Sequence, residues 1–267
     1  MFNADRYFAR VGLRGPLSPT LETLTALMRA HIARIPFENL DVLLGRGVRV
    51  DLDSVYDKLV ESRRGGYCFE HATLFRGALE HVGFCPLSHS ARVVTMMPRQ
   101  AAPRTHMFLS AVVDGTTYVL DPGFGGHGPL VPLPLVEHLE VSAGPDVHRF
   151  SRRDGEWLLE ARIGGAMSPL WMSSLEPESP IDAVMANHFT STWPQSAFVQ
   201  RLMLRALTPD GRRVSVMNRD VTIASNGALA KSQLPNRAAL RALLASEFGM
   251  DLPEVERLRV PTVPEWE

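Results

Sequence analysis

Apolar positions in the first third of the chain recur on one face of an amphipathic helix. Leu21, Leu24, Leu27, Met28, Ile32 and Ile35 carry this pattern. Ser18 is predicted to cap the helix at its start, because Pro19 suits the first helical position and Pro36 marks the end. A second helix is predicted over about 53–62, so the first 83 residues are predicted to be mainly helical.

A third helix is predicted to begin beside a cysteine. After Gly65 and Gly66, apolar residues recur at alternating spacings of four and three until Gly83 ends the pattern. The apolar positions are Cys68, Ala72, Phe75, Leu79 and Val82. This places Cys68 in the first turn, on the apolar stripe of the helix.

From about residue 86 to about 225 the apolar period changes to two, which is typical of strands. Strands are predicted near 90–95, 106–113, 116–121, 156–163, 200–207, 213–217 and 219–224. Their short, regular spacing indicates an antiparallel sheet or a small barrel. Near the end, Asn236 is predicted to cap a helix over 237–248 that Gly249 closes, and the proline-rich last residues are predicted to form an extended tail.

The composition indicates a globular protein. The 267 residues are 45% hydrophobic and 21% charged, which excludes a disordered or fibrous chain. The 28 basic residues are offset by 29 acidic ones and form no basic block, which argues against a nucleic-acid surface. The N-terminus resembles no secretion signal and no apolar run reaches the length of a membrane span, so we expect a soluble, cytoplasmic protein.

Cys68 is a candidate nucleophile because of the residues around it. The two preceding glycines allow a close approach of the chain to a helix start, where unpaired N–H groups and the helix dipole favour thiolate over thiol. A nearby imidazolium would strengthen this effect. A buried core cysteine behind two helix-entry glycines is the alternative interpretation.

A predicted hairpin supplies a histidine and a carboxylate. Asp114-Gly115 lies between two apolar stretches, and a two-residue turn there pairs Val113 with Thr116. Counting along both strands, His106 falls on the same face as Asp121, diagonally across the ladder. A slip of one residue would separate them to opposite faces. The alternative is an exposed histidine and an ordinary turn aspartate.

Cys68, His106 and Asp121 together supply a nucleophile, a base and an orienting carboxylate for acyl transfer through a thioester. A zinc site is the competing interpretation of Cys68 and His71 with His81 and Cys85. However, a continuous helix would separate Cys68 from His81 by about 20 Å, so we expect no metal. Cys85 is expected to be structural, and Arg63 and Arg64 either meet coenzyme phosphates or form salt bridges within the helical region.

Five blocks in order resemble the arylamine N-acetyltransferases, over about residues 5–250. They are Ile35-Pro36-Phe37-Glu38-Asn39-Leu40-Asp41, Arg64-Gly65-Gly66-Tyr67-Cys68-Phe69-Glu70, Thr105-His106, Asp121-Pro122-Gly123-Phe124-Gly125-Gly126, and the stretch from Asn187 to Phe198. The resemblance implies an α+β fold: an N-terminal helical bundle over 1–85, a central antiparallel β-barrel over 86–195, and a C-terminal α/β lid over 196–267. It also implies a thiol-protease-like Cys-His-Asp core.

The same resemblance implies a ping-pong acetyltransferase whose triad is Cys68, His106 and Asp121. Acetyl-CoA is the implied donor, and the implied acceptor is an arylamine, an arylhydrazine or a similar amine. No metal, nucleic acid or membrane is implied. The residues implied to bind substrate are Phe37, Val93 and Phe124, and those implied to pass the pantetheine arm are Gly125 and Gly126.

Two residues depart from the family pattern: Ala72 stands where asparagine is common, and Pro122 where valine is common. We expect Pro122 to be tolerated, since proline favours extended geometry in the residue before it. Ala72 removes a polar side chain one turn beyond the nucleophile. Alternatives to the acetyltransferase are an amide synthase of the same family shape, a thiol hydrolase or transglutaminase-like enzyme, and a non-catalytic CoA-binding relative.

Overall fold

Helices dominate the first third of the computed structural model, which describes residues 1–143, 146–208, 210–225 and 227–266. They are α1 (Ala4–Val11), α2 (Leu21–Arg34), α3 (Leu40–Leu43), α4 (Leu52–Tyr56), which continues as a π-helical turn (Asp57–Glu61), and α5 (Cys68–Val82). The prediction of Ser18 as the first cap is wrong. Thr20 caps α2, and its Oγ1 accepts a hydrogen bond from the Thr23 backbone N–H at 3.2 Å.

The helix that carries the cysteine was predicted closely. α5 runs from Cys68 to Val82, and Gly83 closes it with φ at +103°, in the left-handed region that favours glycine. Cys68 is therefore the first helical residue, as the spacing of apolar positions indicated.

An eight-stranded antiparallel sheet, curled into a nearly closed barrel, follows the helices. Its strands are β2 (Leu87–Val93), β3 (Arg104–Val113), β4 (Thr116–Leu120), β5 (Leu133–Pro134), β6 (Val141–Ala143), β7 (Asp146–Arg153), β8 (Glu156–Ile163) and β9 (Ala166–Ser173). They are ordered β5-β4-β3-β2-β9-β8-β7-β6. The expected barrel is confirmed, but β5, β6, β7 and β9 were not predicted. β5 and β6 have only two and three residues, charged residues interrupt β7, and Pro169 interrupts β9.

A second antiparallel sheet is formed by both ends of the chain. Its order is β1-β10-β11-β12-β13, where β1 is Phe37–Glu38 from the helical region. The other strands are β10 (Met203–Leu207), β11 (Arg213–Met217), β12 (Asp220–Ser225) and β13 (Ala228–Gln233). Two helices precede them, α6 (Pro180–Thr192) and α7 (Ala197–Gln200). The predicted strand at 200–207 is thus shortened at its start.

The C-terminal segment does not form the extended tail that its prolines suggested. Arg237–Phe248 forms α8, with the predicted Asn236 cap and Gly249 end. Two 3₁₀ turns then follow at Pro253–Arg257 and Pro264–Trp266. Val255, Leu258 and Trp266 are buried in the core that α8 shares with the second sheet. Proline starts these turns, and apolar burial holds the segment against the sheet.

The N-terminal core joins the helices to the barrel. Residues of α5, including Phe75 and Leu79, pack in one apolar cluster with Leu109 and Leu120 of the β3–β4 hairpin. This shared core fixes α5 against the hairpin. In the described ranges, no helix combines the length and the apolarity needed to cross a bilayer.

Candidate active site

The chain reaches the start of α5 through a passage that requires glycine. A Cβ at Gly65 would lie 2.2 Å from the Pro36 carbonyl oxygen, and one at Gly66 would lie 2.7 Å from Glu70 Oε2. Glu70 Oε2 also accepts the Tyr67 backbone N–H at 3.0 Å, which caps the helix. The two glycines therefore have the role expected from the sequence, and they bring Cys68 to the helix start.

The β3–β4 hairpin has the predicted register. Val113 pairs with Thr116, and the ladder continues to Leu109 opposite Leu120. His106 and Asp121 consequently share a face, and His106 Nε2 donates to Asp121 Oδ2 at 2.8 Å. Both side chains are buried, so their hydrogen bond is shielded from water.

Cys68 is close enough to His106 that its thiol is among the causes that raise the pKa of the imidazole. His106 Nε2 is bound to Asp121, so Nδ1 is the ring nitrogen left to interact with the sulfur. Cys68 Sγ lies 3.6 Å from the Thr105 carbonyl oxygen as well. The structure thus brings together all three residues that the sequence singled out.

Electrostatics favour a protonated His106. Burial lowers the pKa of this imidazole, but the charge and hydrogen bond of Asp121 and the contact with Cys68 outweigh burial and raise the pKa to about 10. At neutral pH the ring is therefore cationic. An imidazolium held beside the sulfur stabilises negative charge on that sulfur.

Trp171 is a further member of the site that sequence reasoning missed. Its indole Nε1 donates to Asp121 Oδ2 at 3.0 Å, and its ring stacks on Phe108 at 4.4 Å between centroids. A buried tryptophan needs a partner for its N–H, but only the pairing of β9 with β2 brings it to the carboxylate. No local pattern in the sequence could have identified this contact.

Ala72, which stands where the family commonly has asparagine, places an apolar side chain one turn beyond the nucleophile. Ala72 is fully buried and offers no polar side-chain atom. The second carboxylate oxygen of Asp121, Oδ1, has no hydrogen-bond partner in the part of the chain that the structure describes. Asp121 is therefore held through Oδ2 alone, by His106 and Trp171.

A cavity of about 410 Å³ opens beside Asp121, between the barrel and the second sheet. Phe37, Gly125 and Gly126 are among the residues that line it. A Cβ at Gly125, whose φ is +67°, would lie 3.2 Å from Phe37 Cγ. This loop therefore needs glycine for both its conformation and its close packing.

The other two predicted pocket residues lie outside that lining. The Phe124 ring meets the His106 ring edge-on, with centroids 5.2 Å apart. Val93 lies on β2 and pairs with Trp171. Phe124 thus contacts the triad directly, whereas Val93 is connected to it through the strand that carries Trp171.

A network of buried charges lies behind the start of α5. Arg64 Nη2 binds Glu38 Oε1 at 2.7 Å and Asp41 Oδ1 at 3.1 Å. Lys58 Nζ lies 2.8 Å from both Asp41 Oδ2 and Glu70 Oε1. Of the two interpretations of Arg64, the internal salt bridge is confirmed. The network fixes Glu70, and through Glu70 it fixes the first turn of α5.

His71 belongs to a chain of buried hydrogen bonds. Its Nε2 lies 3.2 Å from the Pro36 carbonyl oxygen, its Nδ1 lies 2.9 Å from His31 Nε2, and His31 Nδ1 lies 2.9 Å from the Tyr7 hydroxyl. Because a carbonyl only accepts, every donor in the chain is assigned: His71 Nε2, His31 Nε2 and the Tyr7 hydroxyl donate. Both rings are neutral, and burial lowers the pKa of His71 to about 4.

The residues of the competing zinc interpretation do not converge. Cys68 and His81 lie at opposite ends of the single helix α5. Within the described residues, no group of three or more histidine, cysteine or acidic side chains is placed to hold a metal ion. Cys85 lies just beyond the end of α5, as the sequence indicated, and it is exposed at the surface.

A buried thiol beside an imidazole and a carboxylate is the arrangement of thiol enzymes that transfer acyl groups. Comparison with known proteins defines the family. The family model described as N-acetyltransferase matches residues 20–257. The arylamine N-acetyltransferase of Escherichia coli (strain K12) is 34% identical over 253 residues, covering 94% of this chain and 90% of the relative. That of Mycolicibacterium smegmatis is 35% identical over 260 residues, covering 93% and 92%.

A solved structure of Mycobacterium marinum arylamine N-acetyltransferase in complex with CoA superposes with a TM-score of 0.89 and 32% identity, covering 95% of this chain and 94% of that one. The chain therefore belongs to the arylamine N-acetyltransferase family, whose members are acyltransferases.

Proposed function

We propose that the protein transfers the acetyl group of acetyl-CoA to the nitrogen of arylamines, arylhydrazines or similar amines, through a thioester on Cys68. The hydrogen bond that holds His106 against Asp121 carries this proposal, together with the position of Cys68, whose thiol helps to raise the pKa of that imidazole. Family membership supports it, since the relatives are named for arylamine acetylation and one solved relative holds CoA.

In the first half-reaction the Cys68 thiolate attacks the acetyl carbonyl of acetyl-CoA. The S–C bond to the enzyme forms, the bond between carbonyl and CoA sulfur breaks, and the His106 imidazolium gives its proton to the departing CoA thiolate. Asp121 holds the ring in the required orientation and stabilises its cation before transfer. The products are free CoA and an acetylated Cys68.

In the second half-reaction the amine nitrogen attacks the thioester. The N–C bond forms, the C–S bond to Cys68 breaks, and the now neutral His106 takes a proton from the nitrogen, which restores the starting pair. Aromatic amines suit this step because their low basicity leaves the nitrogen lone pair free at neutral pH. Phe37 supplies a flat apolar wall in the cavity, suited to stacking an aryl ring.

The roles of the remaining predicted residues belong to the same proposal. Phe124, packed against His106, shields the reacting atoms from water, and Val93 supports that wall from β2. Gly125 and Gly126 leave room for the pantetheine arm to pass close to the backbone. Segments 1–85, 86–195 and 196–267 are proposed as the three domains, and a cytoplasmic location, where thiols stay reduced, stays a prediction.

Intact-mass spectrometry tests the proposal. After incubation with acetyl-CoA, the wild-type protein should gain the mass of one acetyl group, and addition of an aniline or aryl hydrazine should remove it. Cys68→Ala should gain none, whereas Cys85→Ala, which removes the exposed thiol, should behave as wild type. If no acyl-CoA acetylates the wild type, the non-catalytic CoA-binding alternative is favoured.

The hydrolase and amide-synthase alternatives differ in what removes the acyl group. A thiol hydrolase would lose its acetyl adduct to water at a similar rate with and without amine. An amide synthase would act on an amine within its own acyl chain and leave external anilines unchanged. Measuring the lifetime of the adduct with and without aniline separates the three activities.

A further inference from the structure

One wall of the cavity is a face of the second sheet. Phe37 of β1 pairs with Arg205 of β10, Arg205 pairs with Ser215 of β11, and Ser215 pairs with Thr222 of β12. Directly paired residues point their side chains to the same face of a sheet. All four line the cavity, so the proposed aryl-stacking residue Phe37 has an arginine as its immediate neighbour.

Arg205 lies close to the loop that follows the triad aspartate. A Cβ at Gly125 would lie 3.4 Å from Arg205 Cγ, and one at Gly126 would lie 3.9 Å from Arg205 Nε. Two residues earlier, a Cβ at Gly123 would lie 2.7 Å from Cys68 Cα. The same short loop therefore touches the nucleophile at one end and Arg205 at the other.

The charge of Arg205 is not balanced by a carboxylate. Its Nη1 donates to the carbonyl oxygens of Leu204 and Val216, both at 2.7 Å, which fixes the side chain against the sheet. Over the ranges that the structure describes, Arg205 forms no ion pair, and its Nε and Nη2 have no hydrogen-bond partner. Partial burial in the cavity lowers the pKa of this guanidinium.

The other arginine and the aspartate that line the cavity each have an ion-pair partner. Arg213, which lines the same wall, binds Asp146. Asp121 is bound by His106. His127 also lines the cavity, and burial lowers its pKa. Among the described residues that line the cavity, Arg205 is therefore the arginine without an ion-pair partner, and it lies beside Phe37.

We propose that Arg205 is a specificity-determining residue that selects acceptors whose aromatic ring carries a negatively charged substituent, such as a carboxylate. This inference rests on the proposed function. A ring stacked on Phe37 places a substituent within reach of the next strand, and a guanidinium with free Nε and Nη2 donors matches a carboxylate in a two-point fork. The donor's phosphates are separated from the reacting sulfur by the whole pantetheine arm, whereas Arg205 lines the cavity beside Asp121 and packs against the loop that also touches Cys68.

The test compares 4-aminobenzoate with 4-aminobenzamide, which share ring and shape but differ in charge. For each acceptor, kcat/KM is measured for wild type, Arg205→Met and Arg205→Lys at saturating acetyl-CoA. Wild type should prefer the benzoate, and Arg205→Met should lose that preference by about tenfold or more, as expected for a charge-assisted hydrogen bond. The loss should appear in KM rather than kcat, and Arg205→Lys should restore part of the preference.

Two outcomes would overturn the inference. Equal losses on both acceptors would make Arg205 a structural residue of the sheet. Slower acetylation of Cys68 by acetyl-CoA, with unchanged acetylation by p-nitrophenyl acetate, which carries no phosphate, would assign Arg205 to the donor. Failure of the proposed function itself is distinguishable, since wild type would then form no acetyl-Cys68 and acetylate neither acceptor.

Discussion

Replacing Lys58 by methionine should strongly destabilise the protein, because Lys58 holds together the buried charges behind α5. Its side chain is 16% exposed, and its Nζ lies 2.8 Å from both Asp41 and Glu70 and 3.9 Å from Glu38. Without it, Glu70 loses its ion-pair partner, whereas Glu38 and Asp41 keep Arg64, and Asp41 also keeps Arg46 at 3.7 Å. Removing one partner from a buried ion pair costs about 3–5 kcal/mol.

That cost translates into a measurable change in melting temperature. An unfolding entropy of about 2.1 cal/mol/K per residue amounts to about 0.56 kcal/mol/K for 267 residues. A loss of about 4 kcal/mol should therefore lower Tm by about 7 °C.

The loss of stability in the Lys58→Met variant should also depend on pH. Burial raises the pKa of Glu70 to about 7, and Lys58 opposes that rise. A carboxyl whose pKa is raised on folding favours the folded state below its unfolded pKa of about 4.5 and loses that contribution as the pH rises through the folded pKa. Removing Lys58 raises the folded pKa further, so the variant should be more destabilised at pH 8 than at pH 5.

Thermal and urea unfolding at pH 5 and pH 8 measure both effects. Lys231→Met is the matched control, since Lys231 is the second lysine of the chain and is exposed on β13. A Lys58→Met variant within about 1 kcal/mol of the Lys231→Met variant at pH 8 would refute the assignment, because exposed charges contribute at most about that much.

Three further perturbations probe the site and its support. Asp121→Asn should slow acetylation of Cys68 by about 10³–10⁴-fold, because the imidazole loses its orienting anion. Rapid-quench mass spectrometry with acetyl-CoA measures this rate, and a near-normal rate would contradict the orienting role of Asp121. Trp171→Phe should cost about 1.5–3 kcal/mol in urea unfolding, through the lost hydrogen bond to a buried carboxylate, and an unchanged midpoint would show that this bond contributes nothing. The free energy of unfolding should fall as pH drops from about 6.5 towards 4, because burial lowers the pKa of His31 and His71 and the unfolded chain binds protons first. His31→Phe should make this dependence of stability on pH less steep. An equally steep dependence in the variant would assign the effect to other groups.

The sequence revealed those parts of the site that depend on local periodicity. The helix start at Cys68 and the register that joins His106 to Asp121 follow from spacings and one turn signal. Trp171 and Arg205 could not be found in this way, because each reaches the site through pairing with a strand distant in sequence. Their contribution depends on tertiary register, which no short window of sequence encodes.

The same limit explains the errors at the chain's surface elements. α6 was not predicted because its apolar residues, among them Ile181, Met185 and Phe189, are exposed and define no single buried face. The C-terminal prolines indicated an extended segment, yet the apolar residues between them pack into the core around α8. Burial against distant elements outweighed the local signal in this segment.

The pairing of Phe37 with Arg205 has a consequence for recombination between family members. The proposed acceptor-binding wall, which contains Phe37 and Arg205, is built from one strand near the beginning of the chain and one near its end. A chimera that exchanges the last third alone would join a foreign β10 to the original β1 and mismatch the two halves of that wall. Grafting acceptor preference from one homologue to another should therefore succeed only when residues 35–41 are transplanted along with the C-terminal region.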